Sequence, residues 1–223
     1  MVETKTYIIH CKKLIDRKKH MLEQMLSNEF TNYEFYEEYD ADELNENFIK
    51  DIYNTDVNMQ KYKMKLWSSG GTARILRREE VSLTYKFYKV FEKIAFGQDE
   101  SAIIFEDDVI LSSDFESSFK MYCTELPSDY DAVFFGSGAN LHIQTEDQKH
   151  CYKKSHPATR CADSFMITKK ACQQLVKTYL PFSLCSDWEI AWQMARHNQN
   201  IYWFEPSLVK QGSETGLFQS TLR

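Results

Sequence analysis

The chain has no apolar run approaching the ~20 residues that a membrane-spanning helix needs. Its first residues, Met-Val-Glu-Thr-Lys-Thr-Tyr-Ile-Ile-His-Cys, hold an apolar stretch too short for a secretory signal, followed by Lys12 and Lys13. A soluble, cytoplasmic protein is the expectation. There is no C-x-x-C pair among Cys11, Cys123, Cys151, Cys161, Cys172 and Cys185, which argues against a zinc ribbon. Without a secretory signal the cysteines read as free thiols, mostly buried. The six histidines form no metal-spaced pair. A basic balance is missing too: the net charge is −6, which argues against a nucleic-acid-binding protein. Internal repeats and linkers are likewise absent, so residues 1–223 read as one domain, a length that can bury one α/β core.

What the chain does have is concentrated at residues 101–111, Ser-Ala-Ile-Ile-Phe-Glu-Asp-Asp-Val-Ile-Leu. An apolar, β-branched run is broken by Glu106, Asp107 and Asp108 and then resumes. Ionised carboxylates are expensive to remove from water, so three at the end of a buried strand need either solvent or a cation. Ligands of open α/β sheets bind at the carboxyl ends of strands, and a divalent metal holding a phosphate suits such a place. The competing reading is that these acids only cap the following turn.

Around this strand, apolar periodicity predicts strands at 6–11, 33–36, 131–136, 163–168 and 201–204. Helices are expected over 15–28, 78–96 (stopped by Gly97), 114–124, 169–179 and 186–198. Residues 43–66 read as polar and irregular with one helical turn near Phe48, Gly70-Gly71 as a flexible loop, 139–160 as a polar loop, and the tail from Pro206 as irregular. Strands alternating with helices imply an α/β fold with a mostly parallel central sheet and helices on both faces.

In this order the segments resemble glycosyltransferase family 25, the group of lipooligosaccharide and collagen hydroxylysine galactosyltransferases. Ile8-Ile9-His10 with Asp16-Arg17 is similar to the family's opening strand, its turn and the Arg beyond it. Glu34 to Ala41 resembles the segment after the second strand, and Glu80 to Ile94 the helix that begins with Glu. Glu106-Asp107-Asp108 matches the Glu-Asp-Asp motif. Asp129 to Gly136 and Asp163 to Ala171 resemble the next two strands, Ser186-Asp187-Trp188-Glu189 the Asp-Trp motif, and Pro206-Ser-Leu-Val-Lys-Gln211 the closing segment. The sequence departs from the pattern at His10, where Asn is usual, and at Phe87, where the helix normally carries His.

The resemblance implies a GT-A type fold, a nucleotide-sugar donor (usually UDP-linked), a carbohydrate or hydroxylated acceptor, and transfer with inversion. A bound Mn2+ or Mg2+ would neutralise the charge that develops on the leaving diphosphate. Asp108 is the expected direct ligand, with Glu106 as a further metal-site residue, and Glu106 and Asp107 are expected at ribose hydroxyls or metal-bound waters. Gln211, Glu205 or water would complete the coordination. Arg17 and Lys86 are the cations best placed for the diphosphate, although most such side chains are solvated surface charges. Gly136 follows a strand end and would admit a sugar close to backbone, or simply make a turn. Inversion needs a general base on the acceptor hydroxyl. Asp187 and Glu189 are the candidates, Asp187 first on its motif, and either would also serve as a first-turn acid or cap of its helix. Trp188 would stack on an acceptor sugar or anchor the core.

A non-catalytic nucleotide-sugar or glycan-binding domain is the alternative that the changes at His10 and Phe87 keep open. A metal-dependent phosphoryl-transfer enzyme or nuclease also clusters carboxylates, but the acidic balance counts against it.

Overall fold

The computed structural model describes residues 2–67 and 71–219. Gly70, half of the predicted Gly70-Gly71 loop, and the tail beyond residue 219 lie outside the described residues.

The sheet grows from short apolar runs with the alternating facing of β-strands. β1 is Thr6–Ile9, β2 Tyr33–Tyr36, β3 Ser101–Glu106, β5 Ala132–Phe134, β6 Cys151–Lys154, β7 Ser164–Thr168 and β8 Ile201–Phe204. They form one seven-stranded sheet in the order β2-β1-β3-β7-β5-β8-β6. β1 runs parallel to β2 and β3, and β5 parallel to β8, while β7 and the edge strand β6 run antiparallel to their neighbours. A separate two-stranded ribbon pairs β4 (Val109–Leu111) with β9 (Val209–Gln211).

Strand alternation divides the core in two. Ile9, Ile104, Phe134, Ile167 and Trp203 face one side, where they pack against α4 (Arg78–Phe96), α6 (Lys169–Leu175) and α7 (Ser186–Arg196). Ile8, Phe105, Val133, Met166 and Phe204 face the other, covered by α1 (Ile15–Ser27) and α5 (Phe115–Cys123). The expected layers, helices on both faces of a mostly parallel sheet, are present. Helix α4 is the chief support of the first core. Phe87, Val90, Phe91 and Ile94 point inward, and Glu80 Oε2 accepts the Arg77 amide at 2.9 Å to fix its first turn. Phe87, at a departure from the family pattern, is fully buried against Phe91 and Phe165 and faces the core.

Four expectations need correction. Residues 43–66 are not mostly irregular: they form α2 (Glu46–Ile52) and α3 (Val57–Met64). Each is started by a polar cap, Asn45 accepting from the Phe48 amide at 2.9 Å and Asp56 from Asn58 at 2.8 Å. The polar loop 139–160 contains β6, completed by pairing with β8. The helix expected over 169–179 stops at Leu175. The tail is ordered into β9 and a short α8 (Gly212–Thr215), because β9 supplies the hydrogen bonds that β4 lacks.

Candidate active site

The strand order 2-1-3 reverses the winding of the sheet between β1 and β3, and ligands of α/β sheets bind at such a point. A cleft of about 260 Å³ opens there. Its floor is the end of β1 (Ile9, His10, Cys11) and the turn after β3 (Glu106, Asp107, Asp108), and its walls come from α1, α4 and the C-terminal Gln211 and Ser213.

Arg17 and Lys86, separated by 69 positions in sequence, both line this cleft. Arg17 donates to Asp107 Oδ1 at 2.8 Å and to the Gln219 carbonyl at 2.7 Å, and lies 3.8 Å from Asp108 Oδ2. Lys86 is buried and donates to Asp40 and to the His10 carbonyl. Asp107 is held on both oxygens, since its Oδ2 also meets His10 Nδ1 at 2.7 Å. It therefore orients Arg17 and His10. The imidazole at the departure from the usual Asn is thus buried beneath the floor of the cleft, between Asp107 and Glu37.

The remaining acids are under-compensated. Asp108 is 2% exposed and its Oδ1 has no partner among the described residues. Burial raises its pKa, opposed by Arg17 and Ser213. Burial, then the charges of Asp108, Asp187, Asp163 and Asp107, push the Glu106 carboxyl well above the usual range. Asp163 stands at the start of β7, beside the end of β3, where the Glu106 amide donates to its carbonyl at 2.8 Å. It is 1% exposed, its Oδ2 is unpartnered, and burial followed by Asp187 and Asp108 raises its pKa strongly. Sequence reasoning missed Asp163 as a site residue. The available signal was an acid abutting an apolar strand, a mirror image of Glu106.

Gly136 touches this cluster. A Cβ there would collide with both carboxylate oxygens of Asp163 and with Ser164 Oγ, so glycine makes room for the acid. Gly136→Ala is expected to cost about 1–3 kcal/mol by overpacking, read by urea denaturation.

The first turn of α7 contributes Asp187, whose Oδ1 accepts the Ala162 amide at 2.7 Å. The cap position belongs to Cys185, so Asp187 is a first-turn acid. Burial raises its pKa, opposed by that amide. Glu189 goes elsewhere. It is fully buried, paired with Lys63 Nζ at 2.6 and 2.7 Å, and accepts from the Ser183 and Leu184 amides and from Gln193. With no exposed atom to offer an acceptor, it ties α3 and the 183–184 segment to α7, in place of the expected role as base. Glu205, one expected late metal ligand, is likewise buried in a separate pair with Arg160.

Raised carboxyl values have a measurable consequence. In metal-free protein the folded state retains protons that the unfolded chain has already released. Stability is then expected to fall as pH rises from the ordinary carboxylate range through the raised values of Glu106 and Asp163. Urea titrations in chelator at pH 5 and pH 7.5 should show this slope, and Asp163→Asn should flatten it.

Residues 3–189 match the sequence model of glycosyltransferase family 25 (LPS biosynthesis protein). The chain belongs to glycosyltransferase family 25. Comparison with curated proteins gives no match. Among solved structures, the inositol-1-phosphate CTP transferase from T. maritima is similar at 11% identity and TM-score 0.48, over 95% of this chain and 89% of that one. The glycosyltransferase GlyE of Streptococcus pneumoniae TIGR4, in its apo form, is similar at 9% identity and TM-score 0.46, and S. aureus TarS 1–349 at 11% and 0.46. Those alignments cover 95% and 96% of the family 25 chain but only 55% and 62% of the two larger ones.

Among the described residues, no three His, Cys, Asp or Glu side chains are gathered closely enough to hold one metal ion by themselves. A magnesium-type site does not require that: one or two carboxylates with substrate phosphates and water suffice. The unpartnered, buried oxygen of Asp108 beside Glu106 fits such a shared site.

Proposed function

We propose that this family 25 transferase moves a hexose from a nucleotide-sugar donor, UDP-linked, to a hydroxyl of a glycan or other hydroxylated acceptor, with inversion and a divalent cation at Asp108. The observation that carries this reading is the charge of the cleft. Five carboxylates (Asp40, Glu79, Glu106, Asp107, Asp108) line it against three cations (Lys13, Arg17, Lys86). Arg17 is already paired with Asp107, and Lys86 with Asp40. A diphosphate entering this net-negative space would be repelled unless a cation came with it.

When bound, Mn2+ or Mg2+ would supply Lewis-acid neutralisation of the departing diphosphate. Asp108 is the proposed direct ligand, and Glu106 the acid that holds metal-bound water or a ribose hydroxyl. Arg17, oriented by Asp107, keeps guanidinium N–H groups for phosphate oxygens. Gly136 makes room for Asp163, a further acid beside the end of β3. Asp187 would take the proton of the acceptor hydroxyl. Its raised pKa brings it closer to neutrality, which suits a general base.

A thermal-shift series of nucleotide sugars with and without Mn2+ tests the reading. A donor at a hundred times its Kd stabilises by about 2.7 kcal/mol, a Tm rise of about 5–10 °C for a chain of this size. The rise should need the metal. No shift with any nucleotide sugar would sink the proposal, and binding without transfer to a broad acceptor panel would make the chain a binding domain.

A further inference from the structure

The His10 side chain has no accessible surface, yet its two ring nitrogens are polar and need partners. Its placement is fixed from three sides. The backbone amide donates to the Tyr36 carbonyl at 3.0 Å, the backbone carbonyl accepts from Lys86, and the ring meets Phe35 edge-on at 5.6 Å. Held in this way, Nδ1 lies 2.7 Å from Asp107 Oδ2. A carboxylate paired with Arg17 only accepts, which puts the imidazole proton on Nδ1. Nε2 has no hydrogen-bond partner among the described residues, and Glu37 Oε1 stands 3.8 Å from it. One edge of the ring makes a bond, and that bond goes to an acid of the cleft floor.

The same acid holds Arg17 through its other oxygen, Oδ1, at 2.8 Å. Besides His10, the donor that reaches Oδ2 is the Cys11 amide at 3.4 Å, a marginal length. Without the imidazole the Asp107 carboxylate would be free to turn, and the guanidinium would turn with it. Arg17 Nη1 also lies 3.8 Å from Asp108 Oδ2, so a guanidinium released by Asp107 has a second carboxylate within reach.

We infer that His10 is a positioning residue for phosphate binding. By donating from Nδ1 it fixes Asp107, and through Asp107 it keeps Arg17 directed at a diphosphate and off Asp108. The inference rests on the transferase reading in taking Arg17 as the contact for the donor's diphosphate. The task needs only a short N–H donor. Asparagine Nδ2 is as many bonds from the backbone as histidine Nδ1 and can donate in its place. Leucine fills comparable space and offers no donor.

The test is a double-mutant cycle on the full chain, read by isothermal titration of inorganic pyrophosphate with Mn2+. His10→Leu should weaken binding about tenfold, the worth of a charge-assisted contact that has lost its alignment, while His10→Asn should stay within about threefold of the unsubstituted chain. In an Arg17→Ala chain, His10→Leu should change the affinity no further. A merely structural histidine would make the two losses multiply, and would penalise the smaller asparagine at least as much as leucine. Circular dichroism identifies the folded variants, and His10→Met, equally without an N–H, replaces His10→Leu if leucine unfolds the chain. Full affinity in the folded donor-less variant, multiplying losses, an asparagine variant as weak as leucine, or no pyrophosphate binding by the unsubstituted chain overturns the inference. UDP with Mn2+ forms a separate arm. Pyrophosphate binding that follows the cycle, with UDP bound no more tightly, would overturn the nucleotide-donor reading and leave the assignment of His10 standing.

Discussion

Asp108→Asn is expected to reduce transfer by about a thousandfold, to abolish stabilisation by Mn2+, and to raise the Tm of the metal-free protein. The opposing signs follow from one atom. Asp108 is buried with Oδ1 unpartnered, and burial raises its pKa, with Asp107 adding to the rise and Arg17 and Ser213 opposing it. Without a cation this charge is a liability of the fold, because a desolvated carboxylate lacks compensation. Asparagine keeps the shape and removes the charge, so the empty site relaxes. With a cation the same charge becomes the anchor, and its loss takes away the neutralisation of the leaving diphosphate. Melting curves in chelator and in Mn2+, beside transfer rates at saturating donor, read both signs. Lower stability in chelator would show that Asp108 is a structural cap, and unchanged rates in Mn2+ would remove the metal from this position.

How much of this was legible beforehand depended on whether a residue's neighbours lay within a few positions. Strands β1, β2, β3 and β8 and helices α1, α4 and α7 carried local periodicity, and the structure places them where the pattern did. Helices α2 and α3 were obscured by polar composition, although Asn45 and Asp56 stood as caps in view. β6 and β9 exist through partners 47 or more positions away, which no local pattern records. In the site, the triplet, Arg17, Lys86 and Gly136 were visible as residue types at strand and helix ends. What the sequence withheld was which charges neutralise which. The pairing of Lys86 with Asp40, and of Asp107 with Arg17 and His10, is set by the sheet order. Asp163 was hidden because its strand runs opposite to β3, so the residue before its start, not one at its end, lies beside Glu106.

The sharpest separation of catalysis from scaffold lies two residues apart. On a helix, positions i and i+2 differ by about 200°, so Asp187 and Glu189 cannot face the same space. Asp187→Asn is expected to lower the transfer rate by about 10²–10⁴-fold, the usual worth of a positioned base, with a small change in stability. Its Oδ1 bond from the Ala162 amide can be kept by the asparagine carbonyl. Glu189→Gln should behave in the opposite way. It leaves the Lys63 ammonium buried without its counter-charge and loosens the bonds from Ser183 and Leu184. Removing one partner of a buried pair costs about 3–5 kcal/mol. Urea denaturation should therefore show a large loss for Glu189→Gln, while the fraction still folded keeps a near-normal kcat. Lys63→Met supplies the control from the other side, since it strands the carboxylate instead of the ammonium and should destabilise comparably. If Glu189→Gln kept its stability and lost its rate, the base would have to be sought at Glu189, and Asp187 would revert to a first-turn acid of α7.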